Sequence, residues 1–184
     1  MGSPKQQLKW GTSTLLGHTI ETAQSLQCCE ICVVLGANYD VIKTEINQSF
    51  IKIIKNEYWE SGLGRSIGFG VEHLIEAHPT MNGILIMLAD QPLIDARYLN
   101  SMIEIFSPGE QQIIATQYDH DRQGVPALFD KNYFEELTKL NDDKGAKEII
   151  EKYSNHVKML TAHGKISDID TEQDYEDLYQ ANHQ

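Results

Sequence analysis

An apolar run, Gly83-Ile84-Leu85-Ile86-Met87-Leu88-Ala89, leads into Asp90-Gln91, and Pro92 then blocks any continuation of a strand. A carboxylate delivered at the carboxyl end of a buried strand can hold a divalent cation; it can equally be a solvated turn residue or a helix cap. A second acidic pair, Asp168-Ile169-Asp170, stands directly before Thr171. Acids near a helix start favour the macrodipole, but a cap does not require two of them flanking an apolar residue. If Asp90 and Asp170 converge, they form a hard oxygen site suited to Mg²⁺, which takes one or two carboxylates plus substrate phosphates.

Other segments carry weaker signals. Lys5 follows Pro4 in a polar stretch before the first expected helix, where it could neutralise a phosphate or simply be solvated. In Asn56-Glu57-Tyr58-Trp59-Glu60-Ser61-Gly62-Leu63-Gly64-Arg65-Ser66 two glycines permit close backbone approach, and helix N–H groups can meet an anion or a base edge. A generic loop is the plainer reading. Gln123-Gly124-Val125-Pro126 puts a glycine ahead of an apolar strand, which is also compatible with a hairpin that does no chemistry. Cys28, Cys29 and Cys32 form neither a disulfide framework nor a four-thiol zinc site, and read as structural thiols of a reducing compartment. The histidines show no metal spacing.

The elements that must position these residues alternate in period. Ser13 is the expected cap of a helix carrying Leu15, Leu16, Ile20, Ala23 and Leu26. A strand over 31–35 reads as buried on both faces. A helix over 40–47, a strand over 50–54 and a helix over 66–77 precede the strand over 83–89. Asp95 can cap a helix over 96–106. Strands over 113–116 and 125–129 flank a turn over 119–123. Helices over 132–140 and 144–153, a strand over 157–160, and a capping box at Thr171-Glu172-Gln173-Asp174 complete the chain. Strands alternating with helices imply one α/β domain over 1–184 with a mainly parallel sheet, whose ligand sits beyond the carboxyl ends of the strands.

Composition bounds the partners. Fifteen Lys and Arg against 27 Asp and Glu give a net charge of −12 over 184 residues, which argues against nucleic acid and anionic membrane. No apolar run reaches the roughly 18 residues that span a bilayer, and Met1-Gly2-Ser3-Pro4-Lys5 is not a signal peptide, so the expected location is the cytoplasm.

In chain order, Pro4-Lys5, Val34-Leu35-Gly36, Asn56…Trp59…Gly62…Ser66, Leu88-Ala89-Asp90-Gln91-Pro92, Gly124-Val125-Pro126, Asp142…Lys144-Gly145-Ala146 and Asp168-Ile169-Asp170-Thr171…Asp174 resemble the MobA-like nucleotidyltransferase domain. The likeness is greatest to its molybdenum cofactor cytidylyltransferase branch, the MocA type, and runs over about residues 2–178. It implies a Rossmann-like three-layer α/β/α fold of the nucleotide-diphospho-sugar transferase type. It also implies transfer of a nucleoside monophosphate from an NTP, CTP being expected, to a phosphate acceptor, molybdopterin being expected, with release of pyrophosphate. By the same resemblance Asp90 and Asp170 hold Mg²⁺ with Asp168 close by, and Lys5 meets the triphosphate. Gly62 and Ser66 lie along base and ribose, and Gly124 and Pro126 line the acceptor side. A guanylyltransferase, another small-molecule nucleotidyltransferase, or a non-catalytic shortened paralogue that only binds are the alternatives. The family opens with a strand and the loop L-A-A-G-x-S-x-R-M-G, of which Met1–Lys5 matches only the tail. The first strand and the phosphate-wrapping loop are therefore expected to be missing from this chain.

Overall fold

The computed structural model describes residues 4–46, 51–119, 122–162 and 168–183. The end of the expected second helix, Phe50, His120, His163, Ser167 and residues 1–3 lie outside them. After a 3₁₀ turn at Lys5–Gln7 comes a two-stranded ribbon, β1 (Lys9–Trp10) and β2 (Ser13–Thr14). Helix α1 (Leu15–Gln24) follows. Its cap is Thr14 and not Ser13: Thr14 has the extended backbone an N-cap needs, and its hydroxyl accepts from the Gly17 N–H at 3.0 Å.

The chain continues through β3 (Ile31–Leu35), α2 (Tyr39–Glu45), β4 (Ile51–Lys55), α3 (Leu63–Ala77), β5 (Gly83–Ile86) and α4 (Ala96–Glu104), the last capped by Asp95 as expected. Then come β6 (Ile113–Asp119), β7 (Arg122–Asp130), α5 (Phe134–Thr138), α6 (Lys147–Lys152), β8 (Val157–Thr161) and α7 (Glu172–Asn182). The Thr171–Asp174 capping box is formed, with both reciprocal bonds in place.

Strands β3 and β4 pair in parallel, and β5-β7-β6-β8 form a four-stranded sheet. In the larger sheet β5, β6 and β8 share one direction and β7 runs against them. The expected turn at 119–123 is smaller than foreseen, because polar pairs such as Gln117 opposite Gln123 extend the β6–β7 hairpin beyond its apolar base. Period-two alternation distributes the apolar side chains to both faces. Ile113, Ala115 and Phe129 meet Val71, Leu137, Ile149 and Ile150 from α3, α5 and α6. Ile114 and Leu128 meet Tyr98, Leu99 and Met102 of α4 on the other side. Helix–sheet–helix layering follows from that division.

Helix α3 reaches both sheets, with Val71 in the core beside Ile84 and Ile86 of β5, and Gly70 against Val34 of β3. Among the described residues no ladder joins β3 to β5. Strand β3 was expected to be buried on both faces; Leu35 is buried, while 31–34 are half-buried beside the unladdered edge. Strand β5 stops at Ile86, opposite Ala127, and not at Ala89. The next residue of β7 in that direction is Pro126, which has no N–H to give a ladder. Met87-Leu88-Ala89 therefore leave the sheet and carry Asp90 beyond it.

Candidate active site

Residues from three distant parts of the chain meet past the end of β5. The Lys5 ammonium lies 2.8 Å from Asp90 Oδ2 and 3.4 Å from Asp170 Oδ1, and donates to the Ile169 carbonyl at 2.8 Å. Partial burial lowers the lysine's pKa, but the hydrogen bonds and charges of Asp90 and then Asp170 outweigh it and hold the amine above its ordinary range. Lys5 is therefore a cation at any physiological pH.

The Asp168–Asp170 segment is held from both sides. Its middle residue, Ile169, is fully buried with Trp10 and Leu15, and its N–H donates to the Asp90 carbonyl at 3.1 Å. Burying one such side chain is worth about 1.5–3 kcal/mol. In extended backbone alternate residues point to opposite sides, so one buried isoleucine turns both flanking acids outward. This is why an apolar residue stands between them.

These donors fit a hard divalent cation. Asp90 and Asp170 already converge on one positive group, and Asp90 Oδ1 is buried without a hydrogen-bond partner. Among the described residues no three His, Cys, Asp or Glu side chains form a cage by themselves. That matches a cation which takes one or two carboxylates and completes its shell with phosphate oxygens and water.

Asp168 faces a different partner. Its Oδ1 accepts at 2.8 Å from the Nε2 of Gln91, a side chain only 3% exposed. The same nitrogen lies 2.9 Å from the Tyr118 hydroxyl and 3.2 Å from the Val125 carbonyl, and Tyr118 in turn donates to Val125. Burial pushes the Tyr118 phenol up to about 12.

Gly124 and Pro126 flank that carbonyl, and both are buried. A Cβ on Gly124 would come within 2.9 Å of the Tyr118 ring, so the glycine makes room for that ring. The Val125–Pro126 bond is cis, and the Pro126 carbonyl accepts from the buried Thr116 hydroxyl at 2.6 Å. Gly62 and Ser66 have their contacts at the start of α3. Gly62 has φ +97°, and a Cβ there would lie 2.8 Å from the Asp142 backbone. Its freedom lets it pack closely against the 142–143 loop. Ser66 accepts from the fully buried Asn56 at 3.0 Å, and Asn56 Oδ1 also holds the Tyr58 N–H.

Lys5, Asp90 and Asp170 are thus brought into direct contact, Asp168 and the Gly124–Pro126 stretch are tied in through Gln91, and Gly62 and Ser66 join no part of that network. Sequence reasoning left Gln91 without a role and overlooked Tyr118; the signal available was a carboxamide buried by its place between an apolar strand and a proline. It also overlooked a cluster elsewhere. Glu30, just before β3, lies 2.7 Å from His78 Nε2 and 3.5 Å from His73 Nε2. The thiols of Cys28, Cys29 and Cys32 are free, and burial raises that of Cys32 to about 11.

The MobA-like NTP transferase domain family matches residues 1–157. Nicotine blue oxidoreductase of Paenarthrobacter nicotinovorans is 33% identical over 106 residues, which are 58% of this chain and half of that protein. The crystal structure of Rv0371c from Mycobacterium tuberculosis H37Rv superimposes with a TM-score of 0.85 at 28% identity, covering 98% of this chain and 90% of that one. Its manganese complex gives a TM-score of 0.80 at 25% identity, covering 97% and 92%. No helix among the described residues is long and apolar enough to cross a membrane. The Rossmann-like architecture of nucleotide-diphospho-sugar transferases and the family match agree, and the chain belongs to the MobA-like NTP transferase domain family.

Proposed function

We propose that this chain is a metal-dependent nucleotidyltransferase that moves a nucleoside monophosphate from CTP to a phosphate of a molybdopterin-type acceptor. The observation that carries the reading is the convergence of Asp90 and Asp170 on Lys5, with one Asp90 oxygen buried and unpartnered. A manganese complex of a structural relative supports a divalent ion as cofactor, which we assign as Mg²⁺. Three free thiols are in keeping with work in the cytoplasm.

In this reaction an acceptor phosphate oxygen attacks the α-phosphorus of the NTP, the bond from that phosphorus to the bridging oxygen breaks, and pyrophosphate leaves with the electron pair. Such a displacement needs in-line positioning and neutralised charge more than covalent help. Asp90 and Asp170 would hold the metal, which would supply charge neutralisation on the triphosphate. Lys5, permanently charged, moves from its carboxylate partners to the phosphates and offsets the charge gathering on the leaving group. Asp168 lies beside the metal pair, with Gly124 and Pro126 on the acceptor side. Gly62 and Ser66 open α3 along the base and ribose.

The test is pyrophosphate release by the purified protein with each of CTP, GTP, ATP and UTP, Mg²⁺ or Mn²⁺, and molybdopterin. Release from CTP that depends on both acceptor and metal is expected. Release from GTP alone overturns the cytidylyl assignment, and no release from any NTP overturns the reaction.

A further inference from the structure

A buried glutamine that keeps an oxygen unsatisfied needs a reason. The Gln91 Nε2 faces a carboxylate and a carbonyl, both of which can only accept, so the orientation of the amide is fixed by its partners. That leaves Oε1 buried and without a partner. An orphaned buried acceptor costs about 1–3 kcal/mol, and an apolar side chain of similar volume would avoid the cost. A glutamate would be worse, since it would set a second carboxylate against Asp168 and close to Asp90.

What the amide does is tie the β6–β7 hairpin to the loop before α7. Its partners lie 27, 34 and 77 residues away, in β6, β7 and the loop before α7. Two N–H groups serve three acceptors: one goes to Asp168, and the Tyr118–Val125 pair shares the other. Asp168 is exposed, and this tether is what restricts its rotation. Because Gln91 directly follows Asp90, one dipeptide sets the metal-side carboxylate and, through its neighbour, both Asp168 and the Val125–Pro126 edge.

We infer that Gln91 is a positioning residue, holding Asp168 and the Val125–Pro126 edge at a fixed spacing from Asp90 so that NTP and acceptor meet in line. The inference rests on the nucleotidyl transfer proposed above. Gln91→Met and Gln91→Glu test it with two different shapes. Each is expected to lower kcat about 100-fold, the scale of a misplacement near 1 Å, while KM for the NTP moves less than about 3-fold. The urea midpoint of Gln91→Met should stay at or above that of the wild type. In an Asp168→Ala background, Gln91→Met should lower kcat by clearly less than it does in the wild type, because only the Val125 edge is then left for the amide to hold. Tyr118→Phe, which keeps the Asp168 bond and leaves the Val125 carbonyl to the Gln91 amide alone, should raise the acceptor KM more than it lowers kcat. An active wild type whose Gln91 variants stay within about 3-fold, or lose activity only in step with stability, overturns the inference alone. An additive effect in the Asp168→Ala background overturns it too. A wild type inactive with every NTP overturns the transfer reading, and this inference falls with it.

Discussion

Two aspartates end apolar strands of the same sheet system and behave in opposite ways. Asp130 closes β7, is fully buried, and has both oxygens filled by N–H donors: the Gly109 N–H at 2.5 Å, the Asn132 N–H at 3.0 Å, and the Asn132 side-chain amide. Asp90 follows β5, is about a quarter exposed at its side chain, meets a lysine from the other end of the fold, and keeps one oxygen unpartnered. A carboxylate at a strand end is therefore not by itself a site. The distinction lies in whether the fold spends donors to satisfy it or leaves it short, because an unsatisfied buried acceptor is stable only at a cost that something else must offset.

The sharpest way to break the comparison is to exchange the consequences. Asp90→Ala should reduce pyrophosphate release by about 10³-fold or more, as loss of a transition-state electrostatic contact does, and leave the melting temperature within about 3 °C. A coupled pyrophosphate assay and circular dichroism read both. Retained activity would remove Asp90 from the metal site.

Asp130→Ala should do the reverse. It takes the charged acceptor from two backbone N–H groups, and the expected loss is about 3 kcal/mol, near 10 °C in melting temperature for a chain of this size. Activity per folded molecule should persist. A stable Asp130→Ala variant would erase the contrast between the two acids.

Lys5→Met sharpens the Asp90 side. The amine lies against both carboxylates and competes with a metal for them. Removing it should let Mn²⁺ bind the nucleotide-free protein about 10-fold more tightly, the effect of one like charge in a partly buried site, while NTP affinity falls. Electron paramagnetic resonance of free Mn²⁺ measures the first effect. An unchanged Mn²⁺ affinity would mean that the lysine and the metal use different places.

The smallest effect is a pH slope. Tyr118 is unionised to about pH 12 in the fold and ionises near 10 when unfolded. A raised folded value means that the native state holds the proton longer, so this contribution is complete below pH 10 and is lost as pH rises through 12. Tyr118→Phe should flatten, without abolishing, the fall of stability across that window, since Tyr98 and Tyr133 are also raised by burial. Urea midpoints at several alkaline pH values check it, and a slope identical to that of the wild type would remove Tyr118 from the titration.

Legibility of the site followed sequence distance. The Asp95 cap and the Thr171–Asp174 box were readable because capping is settled within four residues. Asp90 was readable because an apolar run aims it and a proline stops the strand. The end of β5 was misjudged by three residues, since it depends on Pro126 in a partner strand. Gly62 was singled out for its freedom, but its contact with Asp142 is visible only in the fold. The histidines looked scattered because the carboxylate that gathers His73 and His78 comes from before β3.

By itself the sequence determined the α/β alternation, the caps, the acidic residues able to bind a hard cation and the family resemblance, for these depend on period, residue type and short spacing. Tertiary structure alone decided that Lys5 closes on Asp90 and Asp170, that Ile169 turns two acids outward, and that Gln91 is shared among three strands and loops. Those contacts join residues up to 165 positions apart, and at that range no local preference sets a distance: only the packing of helices against both faces of the sheet does.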